Sequence, residues 1–206
     1  MKKNLAILSF FGAGCLAGLL CEVSLELHTV SLGILYVLMF QVGLSMGSNR
    51  DLKRMFGSLR PRMLLVPVAT IAGTLLFSAA AALVLNRWSM AECMAVGSGF
   101  AYYSLSSILI TQLKEASIGL QAATELGTIA LLANIFREMT ALLGASLIRK
   151  HFGRLAPISA AGVNSMDVLL PTITRHSGKE MIPVAIFHGL LIDLSVPFFV
   201  SLFCKF

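Results

Sequence analysis

The sequence predicts an all-α integral membrane protein of about five transmembrane helices plus two interrupted, re-entrant segments. Three observations carry that reading. Only 13% of the 206 residues are charged and 57% are hydrophobic, against roughly 25% charged in soluble domains. Apolar runs recur from end to end, which points to one transmembrane domain over 1–206 with a mean hydropathy of +0.85. Two of those runs are interrupted by glycine, serine, asparagine or proline, where an ordinary spanning helix has no use for them.

The first segment, Asn4–Cys21, carries Gly14-x-x-x-Gly18, and the second, Val30–Gly47, carries Gly43-x-x-x-Gly47. That spacing lets a neighbouring helix approach closely. Between them lies a short connector with Glu22, Glu26 and His28. Met1-Lys2-Lys3 before an apolar run resembles a signal peptide, but no small-x-small cleavage site precedes a soluble stretch, so the run is kept as a helix.

Arg50, Lys53, Arg54, Arg60 and Arg62 against Asp51 then place a loop in the cytoplasm by the positive-inside rule. Counting back two crossings puts the N-terminus inside too. Segment three, Met63–Leu85, leads outward to a tight turn at Asn86–Ser89. The long run Ile118–Ile148 ends at a second basic loop, Arg149, Lys150, His151 and Arg154, also cytoplasmic. At 1.5 Å per residue this run is roughly 46 Å long, beyond a hydrocarbon core of about 30 Å, so it must tilt or protrude. The positive charge of the chain is therefore a topology signal, and nucleic acid is not an expected partner.

An even number of crossings must separate the two cytoplasmic loops. Segment three and Ile118–Ile148 supply two, so Met90–Ile110 must enter and return on the outer side. Within it, Gly97-Ser98-Gly99-Phe100-Ala101-Tyr102-Tyr103-Ser104-Leu105-Ser106-Ser107 reads as the break, with Gly97 and Gly99 as its glycines. Ala160–Pro171, containing Gly162, Asn164, Ser165, Asp167 and Pro171, reads as a counterpart entering from the cytoplasm. Thr172–Glu180 is expected as a polar loop and Ile182–Phe203 as a last helix ending outside. Two short interrupted segments approaching from opposite faces are the sequence sign of an inverted-repeat transporter with a site at the membrane midplane.

Candidate site residues follow from cost. Glu138 lies deep in the fifth segment beside Arg137, and an intramembrane ionisable group marks function by default. Helical spacing sets Gly127, Asn134, Glu138, Ala141 and Ala145 on one face, while a structural Arg137–Glu138 role shared with neighbouring helices is the alternative. Asp167 either caps a half-helix or touches substrate or a coupling ion, and the two are compatible. Tyr102, Tyr103, Ser104 and Ser106 offer neutral polar contacts, although the tyrosines also fit an interfacial belt. His188 is either a proton-handling group or a hydrogen-bonded packing residue. Cys15, Cys21, Cys93 and Cys204 lack metal-ligand spacing and read as small packing residues, so neither metal nor cofactor is expected.

Gly97-Ser98-Gly99-Phe100-x-Tyr102-Tyr103-Ser104-Leu105-Ser106, Arg137-Glu138, Ser165-Met166-Asp167-x-x-Leu170-Pro171 and Ile186-x-His188-Gly189, in that order, resemble the LysO family of bacterial lysine exporters. The resemblance implies export of L-lysine and its toxic analogues across the bacterial inner membrane. It also implies that Glu138 and Asp167 are needed for transport. Members of that family carry a further N-terminal block of membrane helices, and this chain begins near the middle of the pattern. A second membrane subunit, or else a homo-oligomer, is therefore expected to complete the core.

Independently of the resemblance, a lysine ammonium is a compact, hydrated charge that needs a carboxylate once removed from water. Substrate and proton competing for Glu138 and Asp167 would give lysine/proton antiport. Coupled transport of another small solute is the nearest rival. An intramembrane hydrolase using Ser98 and His188, an aspartyl protease using Asp167 and Asp193, or a packing subunit without a site are weaker ones.

Overall fold

The chain divides into two compact units, Met1–Asn49 and Arg50–Phe206. The computed structural model describes residues 61–206 and, in the first unit, only the helical positions Gly33, Val37, Phe40 and Leu44. Gly14 and Gly18, Gly43 and Gly47, Cys15, Cys21 and most of the first basic loop lie outside the described residues.

The described part of the second unit is helical, and no strand occurs among its described residues. A 3-10 turn, Pro61–Leu64, leads into α1, Leu65–Ala81. Next come α2, Met90–Gly97, α3, Tyr103–Ile118, and α4, Leu120–Phe152. The chain continues through α5, Ala156–Ala161, a 3-10 turn at Gly162–Met166, and α6, Leu170–Ser177. A last 3-10 turn, Lys179–Met181, precedes α7, Ile182–Phe203.

Helix boundaries follow local chemistry. Ser89 and Glu92 form a capping box at the start of α2, with Ser89 Oγ accepting from the Glu92 amide at 3.2 Å and Glu92 Oε2 from the Ser89 amide at 2.8 Å. Arg149, Lys150 and His151 occupy the last turn of α4, where cations complement the exposed carbonyls. Gly119, at φ 83°, turns α3 into the antiparallel α4, and a Cβ on Gly127 would lie 2.0 Å from Thr111 Oγ1, so the two helices pack backbone to backbone.

The stretch expected as a polar loop at Thr172–Glu180 is largely helical. Leu169, Ile173 and Ser177 fall at i, i+4 and i+8 and are all buried, and Pro171 sits in the first turn of α6, where its missing N–H costs nothing. Segment three also ends earlier than expected, with α1 stopping at Ala81.

Beside a hydrophobic core, the burial pattern departs from that of a soluble protein. Leu65, Val68, Leu76 and Phe77 of α1 and Phe136, Leu143 and Leu147 of α4 are exposed, while Thr70, Ser106, Asn134, Ser165, His188 and Asp193 are buried. Polar groups turned inward under an apolar exterior are what lipid, not water, selects. Leu120–Phe152 and Lys179–Phe203 are long and apolar enough to cross a membrane, and Leu65–Ala81 is a shorter apolar helix. Ile158, Ala161, Leu169, Ile173, Val184 and Ala185 pack into a core that joins α5, α6 and α7. Cys93 and Cys204 are buried free thiols within the packing.

Candidate functional site

α2, the residues 98–102 and α3 form one helix–break–helix element whose two ends lie together. Glu92, in the first turn of α2, pairs with Lys114 near the end of α3 at 3.3 Å, and Arg87 pairs with Glu125 in the second turn of α4. α5, the 3-10 turn at Gly162–Met166 and α6 form a second such element. Arg154, just before α5, bonds Glu180, just after α6, at 2.9 Å. The first element is rooted at the N-terminal end of α4 and the second at its C-terminal end.

Their tips meet. The Val163 amide donates to the Phe100 carbonyl at 3.0 Å, and Asn164 Nδ2 approaches the Ala101 carbonyl at 3.5 Å. Gly162 is indispensable to this contact on two counts. Its φ of 60° with ψ of −130° is a conformation that L side chains rarely adopt, and a Cβ there would lie 2.1 Å from the Phe100 oxygen.

The first tip is strained. Phe100 and Ala101, both fully buried, adopt φ of 44° and 74°, a left-handed conformation that costs about 1–3 kcal/mol for each non-glycine residue. Asn134 of α4 holds it. Its Oδ1 accepts from the Ala101 amide at 2.7 Å, and its Nδ2 donates to the carbonyls of Ala130 at 2.8 Å and Val96 at 3.3 Å. One side chain thus satisfies a donor and an acceptor that the helix break releases.

Arg137 performs the same service for the second element. Nε and Nη2 donate to the carbonyls of Ala160 and Ser159, in the last turn of α5, at 3.1 and 3.0 Å. Nη1 reaches Thr74 Oγ1 at 3.2 Å, and the guanidinium carbon stands 5.8 Å from the Phe100 ring centroid. A cation at a helix C-terminus is favourable, and here the same cation touches both tips and α1. Arg137, Thr70, Thr74, Ser78 and Ser159 form the polar wall of a groove of about 1140 Å³ between α1, α4 and α5.

His188 is fully buried beneath the second tip. Its Nε2 lies 2.9 Å from Thr70 Oγ1 and its Nδ1 3.0 Å from Ser165 Oγ. Thr70 Oγ1 also meets Ser159 Oγ at 2.6 Å, and Ser165 Oγ donates to the Ala185 carbonyl at 2.9 Å. The imidazole therefore joins α1, the second tip and α7 in one network.

The structure brings together Gly97, Gly99, Asn134, Ser106, Gly162, Asn164, Ser165 and His188. A Cβ on Gly97 would meet Ser78, and one on Gly99 would meet Asn134. Ser106 donates to the Tyr102 carbonyl at 2.9 Å. Tyr103 and Ser104 are exposed. Asp167 is exposed, with Oδ1 accepting from the Val168 amide at 2.5 Å, so it does not cap α6, whose N-cap is Leu169. Glu138 is half-buried and forms no hydrogen bond or ion pair with any described residue. No described contact joins it to Asp167. Asp167 and Asp193 stand close enough for their charges to interact, and both act on the Tyr102 phenol. Ser98 donates to the Met94 carbonyl at 2.6 Å while both His188 nitrogens are engaged elsewhere, so the two do not form a nucleophile–base pair.

Sequence reasoning gave Thr70, Thr74 and Ser78 no role, although they recur every fourth residue and so line one face of α1. In sequence Arg137 reads as a structural neighbour of Glu138, whereas its partners lie on α5 and α1.

Comparison with known proteins agrees with the motifs. The model of the family described as lysine exporter LysO matches residues 8–204. The lysine exporter LysO of Escherichia coli is 33% identical over 171 residues, which cover 82% of this chain and 53% of that protein. The chain thus spans about half of that relative's length. A putative lysine exporter of Haemophilus influenzae is 29% identical over 202 residues, covering 97% of both chains. No solved structure matches. With a family model covering nearly its whole length, the chain belongs to the lysine exporter LysO family.

Proposed function

We propose that this protein is a secondary transporter exporting L-lysine, or a close cationic analogue, across the bacterial inner membrane, with proton antiport as the coupling. The observation that carries the reading is the tip-to-tip contact of Val163 with Phe100 between two helix–break–helix elements rooted at opposite ends of α4. Broken backbone belongs in a membrane only where protein covers it or where it lines a cavity, and broken helices meeting at mid-depth are a transporter's way of building a site. The two elements are then re-entrant, the first from outside and the second from the cytoplasm. The N-terminus is cytoplasmic and the C-terminus outside, in keeping with Arg149, Lys150 and Arg154 at the inner end of α4. Membership of a family of transporters, together with the engagement of Ser98 and His188 elsewhere, sets the hydrolase reading aside.

Lysine's ammonium group leaves water only against a carboxylate. Glu138 and Asp167 bear that charge, because neither is neutralised by a described cation. A proton and the substrate exclude each other there, so protonation from one side releases lysine and deprotonation on the other readmits it. In proteoliposomes with an imposed pH gradient, Asp167→Asn and Glu138→Gln are expected to lower labelled-lysine flux by about tenfold or more. Wild-type flux from both variants would end the assignment.

A further inference from the structure

We propose that Asp193, on α7, forms an alkylammonium-binding site with Asp167 and the Tyr102 hydroxyl, where the tips of the broken helices meet α7. Asp193 is only 6% exposed. Glu92, the other buried acid among the described residues, and Lys114 neutralise each other at 3.3 Å. Asp193 makes no hydrogen bond or ion pair with any described residue. Burial of a bare carboxylate is costly, and a protein keeps one where something arrives to pair with it.

Its neighbours indicate what arrives. α7 packs on the second tip one turn before Asp193, where a Cβ on Gly189 would lie 2.7 Å from Met166 Cβ, beside Asp167. The charge Asp193 feels is that of Asp167, and both acids act on the Tyr102 phenol, so among the described residues the surroundings hold acids and a phenol rather than a cation. Arg137 is committed to the Ala160 and Ser159 carbonyls and Thr74, and His188, five residues earlier on α7, is held between Thr70 and Ser165. Ser195 donates to the Ile192 carbonyl rather than to Asp193. The two carboxylates present acceptors only, and the phenolic oxygen can accept beside them while its O–H donates to a carboxylate, which suits an ammonium's three N–H donors. Asp167 contributes the exposed side and Asp193 the buried side, so a cation entering along Asp167 ends against Asp193.

The site rests on the reading of the protein as a cationic amino-acid exporter, and the test separates the two. Binding to the purified full chain is measured with L-lysine, L-ornithine, cadaverine, sodium and the uncharged lysine analogue norleucine. Wild type is expected to bind lysine, ornithine and cadaverine and to ignore norleucine. Asp193→Asn should weaken those three by about tenfold or more, while its unliganded melting temperature stays at or above that of wild type because an uncompensated charge is gone. Asp193→Glu should retain part of the affinity. If lysine fails to bind but another cation of the panel binds and loses its affinity in Asp193→Asn, the export reading falls and the site stands. Wild-type affinity for lysine in Asp193→Asn overturns the site, including the case where only the pH dependence flattens and Asp193 proves a proton carrier. Binding of norleucine as tight as lysine, or of no cation at all, overturns it as well.

Discussion

The two broken helices solve one problem by different means. The first has arms of 8 and 16 residues, a capping box at its start, and a buried Glu92–Lys114 pair across its base. Its tip bends through two non-glycine residues in left-handed backbone, held by Asn134. The second has arms of 6 and 8 residues, and its base is joined by Arg154 and Glu180, both more than half exposed. Its tip bends at a glycine and leans on the first tip's carbonyl and on Arg137. One element is therefore braced along its whole length. The other has shorter arms that pack into the core of α5, α6 and α7 and a base closed only by an exposed pair, which makes its base the easier of the two to release.

The contact between the tips is where that comparison breaks most violently. Gly162→Ala adds a methyl group 2.1 Å from the Phe100 oxygen, in a backbone conformation alanine rarely adopts. Neither backbone can retreat without losing the Val163–Phe100 hydrogen bond. A loss of about 3–5 kcal/mol is expected, read as a large drop in melting temperature of the purified protein with transport abolished. An unchanged melting temperature would mean that the tips do not meet as described.

The base of the first element comes next. Lys114→Met leaves Glu92 buried without its cation, although the Ser89 amide still donates to its other oxygen. Removing one partner of a buried pair strands the other, so a loss of about 2–4 kcal/mol is expected. Adding Glu92→Gln to Lys114→Met should restore part of it, since the stranded charge is then gone. A double-mutant cycle on thermal melts separates the two contributions.

Much of this architecture was legible in the sequence, and what was missed had physical causes. α7 was expected at Ile182–Phe203 and is found there, because an unbroken apolar run bounded by a polar turn allows little else. The first break was placed at Gly97–Ser107 from its glycines and serines. The backbone instead turns at 98–102, and Ser104, Ser106 and Ser107 already belong to α3. Nothing local marks Phe100 and Ala101 for positive φ, since their strain is compensated by Asn134, thirty-three residues further on. The same distance problem hid Arg137. Beside Glu138 it looked like half of a charge pair, whereas its partners are carbonyls of α5, unpaired only because that helix ends there. α6 escaped because its surface residues are polar and hydropathy averages over them, although Leu169, Ile173 and Ser177 keep a helical period. Asp193, which the sequence offers only to the aspartyl-protease rival, has no transport role there for the opposite reason. In sequence it is one acid in an apolar helix, and only the fold shows that no described cation meets it.

The exposed pair at the base of the second element should matter least to stability and most to the comparison. Arg154 and Glu180 keep 59% and 55% of their side-chain exposure, so water screens their attraction. Arg154→Ala should therefore cost less than about 1 kcal/mol, a shift at the edge of what thermal melts resolve. If the second element is the one that moves, releasing its base changes the rate of lysine export while leaving lysine affinity alone, because the tip contacts at Val163 and Arg137 are untouched. The matching release at the first element, Arg87→Ala, removes another exposed pair but leaves Glu92 and Lys114 to hold the base closed. Transport rates measured side by side for Arg154→Ala and Arg87→Ala should then differ, with the change confined to Arg154→Ala. Equal rates would mean that the two bases are equally held, and the asymmetry between them would concern stability alone.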